Sequence, residues 1–421
     1  METICINGTN TARQTADAHF DHAAKTLGLG DPVKAFMKTP FRTIRVTIPL
    51  IMDDGIHQLF VGYRIQHSDL HTPMMGGIRY HPTVDESELC ALAENMTWKA
   101  ALVRIPVGGA MGGVRCDPKQ LSKWELKRIT QKYIARIHHV LGPHSDIPAP
   151  DVNTNSEVMS WILQEYALRH GHNFACVTGK PGYLEGLMGP HRAASKGAAI
   201  VLSKHLSDLG HSLNGMEVVV QGFGNVGSTL ALELAERGCR IIAVSDIDSG
   251  IARKNGEGLH ISKLIKHVEE TGSVSDFPGA RTMDREKVLS LECEILATAA
   301  MECAIDETNA GEIKASIIAE AANLPISFEA DEILEGKRAT VLPDILTNAG
   351  ASICSYFEWK HNLHSQFAQG WTPDIELFTR LTQAYEDVRR YASAENISLK
   401  KAAYAIALER IAAEEAKHNS L

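Results

Sequence analysis

The sequence predicts an α/β protein of two domains, one of them a doubly wound sheet. Three observations carry that expectation: a length beyond one hydrophobic core, a glycine-rich turn between an apolar strand and a helix, and short apolar runs alternating with amphipathic helices beyond that turn. The chain has 421 residues, and past roughly 250–300 residues a single core stops growing and chains divide. Apolar residues make up 44% and charged residues 22%, as in an ordinary globular protein.

The first elements are strands. From Thr43 to Pro49 and from Gln58 to Gln66, β-branched and aromatic residues alternate with polar ones about Asp53-Asp54-Gly55, which predicts a hairpin. A helix follows, with Asp85 and Glu88 spaced as a capping box and Leu89, Leu92, Met96, Lys99 and Val103 at helical intervals. Lys99 thus lies on an apolar stripe, where an ammonium needs a carboxylate partner or must snorkel to water. A second helix is expected from about Ser156, after the proline-stiffened turn that holds Asp151. Gly and Pro cluster between about Gly171 and Gly197, which marks a crossing between domains.

Beyond the crossing, strands are expected at 217–221, 240–245, 295–298, 317–320 and 340–342, in a parallel sheet. Two long helices close the chain from about Glu376 to Lys417, separated near Asn396, with Ser398 a candidate cap. The expected boundaries are 1–185 plus about 360–421 for a substrate-binding and oligomerisation domain, and 186–359 for a Rossmann-like dinucleotide-binding domain.

The apolar strand Glu217 to Gln221 runs into Gly222-Phe223-Gly224-Asn225-Val226-Gly227, and Ser228 to Arg237 continues as a helix ended by Gly238. The glycines serve a tight turn, backbone approach to a pyrophosphate and close packing of helix on strand, while the helix N-terminus offers N–H groups to phosphate. Asp246 ends the next strand about twenty residues on, where a carboxylate accepts from ribose hydroxyls and repels a 2′-phosphate. NAD is therefore the expected cofactor. A Rossmann unit used for packing alone is the bland alternative.

Other classes are excluded or disfavoured. Forty-two basic against 51 acidic residues give a net charge of −9, which argues against a nucleic-acid-binding surface. No apolar stretch reaches the roughly 18 residues that span a bilayer, and Met1 to Gly30 lacks a signal-peptide pattern, so a cytoplasmic location is expected. The eight cysteines are scattered without Cys-x-x-Cys spacing, as reduced thiols would be. His19, His22 and the other histidines lack metal-ligand spacing, and no metal site is expected.

Four stretches carry a resemblance: Gly76-Gly77-Ile78-Arg79-Tyr80-His81-Pro82, Met96-Thr97-Trp98-Lys99, Gly108-Gly109-Ala110-Met111-Gly112-Gly113, and Asp146 to Asn155. With the glycine turn they resemble the glutamate dehydrogenase family, the superfamily of Glu, Leu, Phe and Val dehydrogenases, over most of residues 40 to 360. The resemblance implies oxidative deamination of an L-amino acid, hexameric assembly, and closing helices that return to the first domain. It implies Lys99 as the α-carboxylate clamp, Asp151 as the proton-shuttling carboxylate, Gly76 and Gly77 as substrate-site backbone, and Ser355 as a distal-carboxylate contact. Asn323 and Asn348 match cofactor-contact positions.

The chain departs from the family pattern at several of these places. Met75 and Met111 stand where relatives carry lysines, the first binding the distal carboxylate and the second activating the attacking water. Ala194 stands where relatives offer a threonine hydroxyl to the nicotinamide, with Ser195 a candidate substitute. Cys303 stands where many have asparagine. A thioether has no proton to give, and Arg104 cannot act as a base because guanidinium does not deprotonate in proteins. Two functions fit: an NAD-dependent dehydrogenase with preference shifted toward an apolar amino acid, or a catalytically impaired regulatory subunit that binds an amino acid or nucleotide. The expected partners are an amino acid or 2-oxo acid, and either a homo-hexamer or a hetero-hexamer with an active relative.

Overall fold

A computed structural model describes residues 11–187, 189–254, 256–364 and 371–418. The chain divides into two compact units. One comprises Ala24–Ala193, Ala351–Arg380 and Ala405–Leu421, and the other Met1–Ala23, Ala194–Gly350 and Leu381–Tyr404. The division differs from the expected boundaries in its outer parts, because Met1–Ala23 and Leu381–Tyr404 group with the nucleotide unit. The closing helices, Pro373–Glu395 and Leu399–His418, are accordingly shared between units rather than returned whole to the first.

The substrate unit is built on strands β1 (Arg42–Ile51), β2 (His57–Gln66), β3 (Met74–His81), β4 (Gly108–Arg115) and β5 (Asp146–Pro150), in the order β1-β2-β4-β3-β5. β1 and β2 form the expected hairpin. β2 and β4 are antiparallel, whereas β3 lies parallel to both β4 and β5. One sheet face buries Ile48, Ile78, Tyr80 and Val114 against Ile129, Tyr133 and Ile162 of helices Lys123–Ile137 and Ser156–His170. The opposite face packs Tyr63, Ile65 and Met111 against Leu89, Leu92 and Ala93 of helix Glu86–Leu102. Of the expected capping box, the Asp85 half is present, its side chain accepting from Glu88 N at 2.8 Å. The Glu88 carboxylate is instead drawn to the Arg79 guanidinium.

The same sheet holds a fully buried ion pair. Arg64 Nε and Nη2 donate to Asp146 Oδ2 and Oδ1 at 2.8 and 2.5 Å, and both side chains are 0% exposed. Its Nη1 donates to the carbonyls of Gly76 and Gly77, at 3.2 and 3.0 Å. Those residues lie beside Pro148 and Ala149 of β5, and proline brings no N–H to a ladder. The guanidinium supplies donors there, and Gly112 leaves the room for it: a Cβ on Gly112 would stand 3.0 Å from Arg64 Cδ.

The nucleotide unit holds β6 (Glu217–Gln221), β7 (Arg240–Ser245), β8 (Gly250–Arg253), β9 (Ala280–Met283), β10 (Ile295–Thr298), β11 (Ile317–Glu320) and β12 (Thr340–Leu342), ordered β12-β11-β10-β6-β7-β8-β9. β6, β7, β10, β11 and β12 are parallel and coincide with the strands read from the sequence. The sheet is nonetheless mixed, since β8 and β9 add an antiparallel edge that the sequence did not predict. The chain leaves β6 toward β7 and returns on its other side at β10, so the topological switch lies between β6 and β10, where doubly wound sheets bind ligands.

His19, on helix Ala12–Thr26, is buried in this unit, stacked on Tyr404 at 5.1 Å and edge-on to Phe328 at 5.2 Å. Burial, with Lys400, His22 and Lys401 nearby, holds its pKa well below 6.5. Above that value folded and unfolded chains are both neutral here; below it the unfolded chain takes up a proton that the folded one refuses, so stability falls as pH drops. The slope from one such group approaches about 1.4 kcal/mol per pH unit. Urea unfolding at about pH 7.5 and about pH 5.5 should show His19→Phe losing ~1 kcal/mol less than the wild type, and parallel profiles would exclude this assignment.

Candidate active site

The substrate half is assembled on the sheet face that looks toward helix Glu86–Leu102. Strand alternation sets Met75, Gly77 and Arg79 of β3 on one face, and register brings Met75 beside Gly109 and Arg79 beside Gly113. Met111 occupies the same face of β4, beside Ile65. Arg79 Nε donates to Asp151 Oδ2 at 2.7 Å while its Nη1 pairs with Glu88, and Arg79 itself is only 2% exposed. Asp151 stands directly over Gly77: a Cβ there would lie 2.6 Å from Asp151 Cβ. Its backbone is fixed as well, by Asp151 N to Thr154 Oγ1 at 2.9 Å.

Lys99 is 3% exposed on the helix that covers this face. Almost all of its surface is thus withdrawn from water. Met75 and Met74 are each 4% exposed, so both are buried apolar side chains. Met111 is 2% exposed and belongs to the cluster of Tyr63, Ile65, Val84, Leu89, Leu92 and Ala93. Met111 is therefore part of the hydrophobic core. Ser355 lies in the same unit on helix Gly350–His364, 9% exposed.

That helix is pinned by a second buried pair. Lys180 Nζ donates to Glu358 Oε1 and Val177 O at 2.6 Å each, and Glu358 Oε2 accepts from Leu187 N. The turn Gly179-Lys180-Pro181-Gly182, which reads from the sequence as a crossing, is thereby fastened to the helix carrying Ser355.

The nucleotide half lies at the carboxyl ends of β6 and β10. Gly222 has φ +88° and Gly227 packs over it, a Cβ on Gly227 standing 1.8 Å from Gly222 O. Helix Asn225–Glu236 starts at Gly224, which makes no side-chain cap and has open space at its Cβ position. A helix start without a side-chain cap, at a glycine with room around its Cβ position, fits a phosphate. Phe223 is buried.

Asp246 behaves differently from its expected role. Its carboxylate accepts from Asp248 N, Ser249 N, Ser273 Oγ and Val274 N at 2.7–2.8 Å. Burial pushes its pKa up, but these four donors outweigh burial and hold it below 3.8. A carboxylate offers about four acceptor sites, so ribose hydroxyls would compete with donors already in place. The negative charge persists and still disfavours a 2′-phosphate.

Ser195 does not replace the hydroxyl missing at Ala194. Its Oγ donates to Val226 O at 3.1 Å and pairs with Thr229 Oγ1 at 2.6 Å, which ties helix Pro190–Asp208 to the nucleotide-binding helix. Ala194 is buried at 6% exposure. Cys303 contacts Thr15 Oγ1 at 3.4 Å. Asn348 Nδ2 donates to Asn323 Oδ1 at 2.9 Å, which brings the two cofactor-contact amides together.

Comparison with known proteins matches this arrangement. The model of the Glutamate/Leucine/Phenylalanine/Valine dehydrogenase family covers residues 186–418, and that of the Glu/Leu/Phe/Val dehydrogenase dimerisation domain covers 40–168. A glutamate dehydrogenase of Thermotoga maritima is 41% identical over 404 residues, 95% of this chain and 96% of that one.

This chain belongs to the Glu/Leu/Phe/Val dehydrogenase family.

Among solved structures, the leucine-bound hetero-hexameric glutamate dehydrogenase of Thermus thermophilus is 34% identical with a TM-score of 0.91, covering 100% of this chain and 99% of its own. Glutamate dehydrogenase from Peptoniphilus asaccharolyticus is 30% identical with a TM-score of 0.80, covering 98% and 100%. In sequence and fold the chain is a glutamate dehydrogenase-like oxidoreductase.

Sequence reasoning missed Arg79 as the partner of Asp151, although it lies in a quoted motif and two-residue alternation groups it with Met75 and Gly77. The site makes one glycine decisive. Gly77→Ala forces the Asp151 backbone and carboxylate away from Arg79, and amino-acid binding measured by calorimetry should weaken at least about tenfold. Gly182→Ala, where a Cβ meets nothing within 4 Å, should bind as the wild type does. Unchanged binding in Gly77→Ala would remove Asp151 from the site.

Proposed function

We propose that this chain binds a dinucleotide and an amino acid or its 2-oxo acid as one subunit of a hexamer, with its own oxidative deamination impaired at the proton-handling step. The observation that carries the reading is Met111, buried in an apolar cluster where the family uses a titratable nitrogen. Lys99 would clamp the α-carboxylate. Asp151, oriented by Arg79, would take a proton from the α-amine. Gly222–Gly227 would hold the pyrophosphate of a dinucleotide and Asn323 with Asn348 its amide, and the bound group would supply a hydride acceptor. Hydration of the imine then requires a base beside the water, and neither a thioether nor Arg104 supplies one. General acid–base groups contribute roughly 10²–10⁴-fold, which sets the scale of the impairment.

Met75 supports an apolar ligand side chain in place of glutamate's distal carboxylate, since a buried thioether offers a carboxylate no charge-assisted hydrogen bond. The charge on Asp246 supports NAD over NADP. The hetero-hexameric relative with leucine bound supports assembly with an active subunit and regulation by an apolar amino acid. A second reading, a slow NAD-dependent dehydrogenase for an apolar amino acid, is favoured by the retention of Lys99, Asp151 and Ser355 in one unit.

The test is turnover with NAD across a panel of glutamate and apolar amino acids, run beside Met111→Lys. The wild type should give less than about one hundredth of the variant's rate, while burial of an ammonium among Leu89, Leu92 and Ile65 should lower the variant's melting temperature. Robust wild-type turnover would sink the impaired reading and establish the second. In a separate titration NADPH should bind at least about tenfold more weakly than NADH, and equal affinities would contradict the role given to Asp246.

A further inference from the structure

The nucleotide unit contains a buried charged cluster that the chemistry above does not use. Glu320 ends β11 at the carboxyl edge of the sheet, 0% exposed, and Lys400, on helix Leu399–His418, is 1% exposed. Lys400 Nζ donates to Glu320 Oε1 at 2.8 Å and lies 3.6 Å from Asp331. Glu320 Oε2 accepts from Asp344 N at 2.9 Å. Asp344, also 0% exposed, accepts from Leu324 N at 2.9 Å and Ile345 N at 2.7 Å.

These bonds converge on two loop segments. Leu324 follows Asn323 and is held at φ +45°, a left-handed conformation costly for a branched residue. Asp344 begins the short helix Asp344–Thr347 that Asn348 caps. The relay therefore fixes both segments that present the Asn323–Asn348 amide pair. Asn348 is 6% exposed, and its Oδ1 has no hydrogen-bond partner among the described residues. A buried acceptor left unmade is costly, and it fits a ligand that brings an N–H₂ group.

We propose that Lys400, Glu320 and Asp344 form a positioning relay that sets the Asn323–Asn348 pair to grip the carboxamide of a nicotinamide ring. The proposal rests on the dinucleotide reading above and deepens it. The charges have a purpose under this assignment. Replacing a buried ion pair by apolar residues often costs nothing in stability, so such a pair is weak support for a stabilising role. Here both carboxylates end on backbone N–H groups of the amide-bearing segments. Burial pushes the Glu320 carboxyl up to about 8, and the Lys400 ammonium opposes that rise.

The experiment compares NADH with ADP-ribose, which shares the adenosine and pyrophosphate and lacks the nicotinamide. Lys400→Met should weaken NADH binding at least about tenfold and ADP-ribose less than about threefold. Lys400→Arg should restore NADH to within about threefold of the wild type. Asp344→Ala, which leaves the Lys400–Glu320 pair standing, should give the same selective loss even if Lys400→Met does not fold. Asn348→Ala should also be selective, and its effect should not add to that of Asp344→Ala. Equal losses for both ligands in Asp344→Ala, or no loss, would overturn the relay and leave the dinucleotide reading intact. Wild-type protein that binds neither ligand would overturn both.

Discussion

The substrate unit depends on one buried interaction, the Arg64–Asp146 pair. The guanidinium crosses β4, where glycine leaves room, and bonds the carboxylate at the start of β5 together with the Gly76 and Gly77 carbonyls of β3. Without it three strands would lose their common tie, and two buried carbonyls beside a proline-bearing strand would lack donors. Breaking such a pair from one side typically costs about 3–5 kcal/mol, because the remaining charge stays buried. Everything on the opposite face of that sheet inherits its position from this arrangement. Gly77 is held low enough for Asp151 to stand over it, and Asp151 is then close enough to accept from Arg79.

The candidate residues of the two units fall into two chemical groups. Under the proposed reading Lys99, Asp151, Ser355 and the start of helix Asn225–Glu236 are the groups that hold ligands. By the family resemblance, Met75, Met111 and Ala194 fill positions where relatives carry a charge or a hydroxyl. Met111 is the clearest case, since it is buried in one hydrophobic cluster with Tyr63, Ile65, Val84, Leu89, Leu92 and Ala93. A lysine there would meet a desolvation penalty that only a neighbouring carboxylate or ligand could offset.

Much of this was legible in the sequence. The five parallel strands are apolar, β-branched runs buried on both faces, and the glycine turn sits where a strand-turn-helix unit demands it. β8 and β9 were not legible, because four-residue strands such as Ala-Arg-Thr-Met carry no usable period. The hydrogen-bond partners of Asp246 and Ser195 were not legible: spacing locates a side chain but says nothing about the donors and acceptors folded around it. Buried ion pairs were invisible for another reason. Arg64 and Asp146 are 82 positions apart, Glu320 and Lys400 80, and Lys180 and Glu358 178, so each reads as an isolated surface charge until the fold joins them.

The central claim, that ligands are held while proton handling is lost, is tested most directly by rapid mixing. Protein in excess over NADH is mixed with an apolar 2-oxo acid and ammonium, and the nicotinamide signal is followed. A fast fluorescence change from binding, followed by NADH oxidation slower than about 0.1 s⁻¹, is the expected result. A burst of oxidation within the ordinary enzymatic range of roughly 1–10³ s⁻¹ would contradict it.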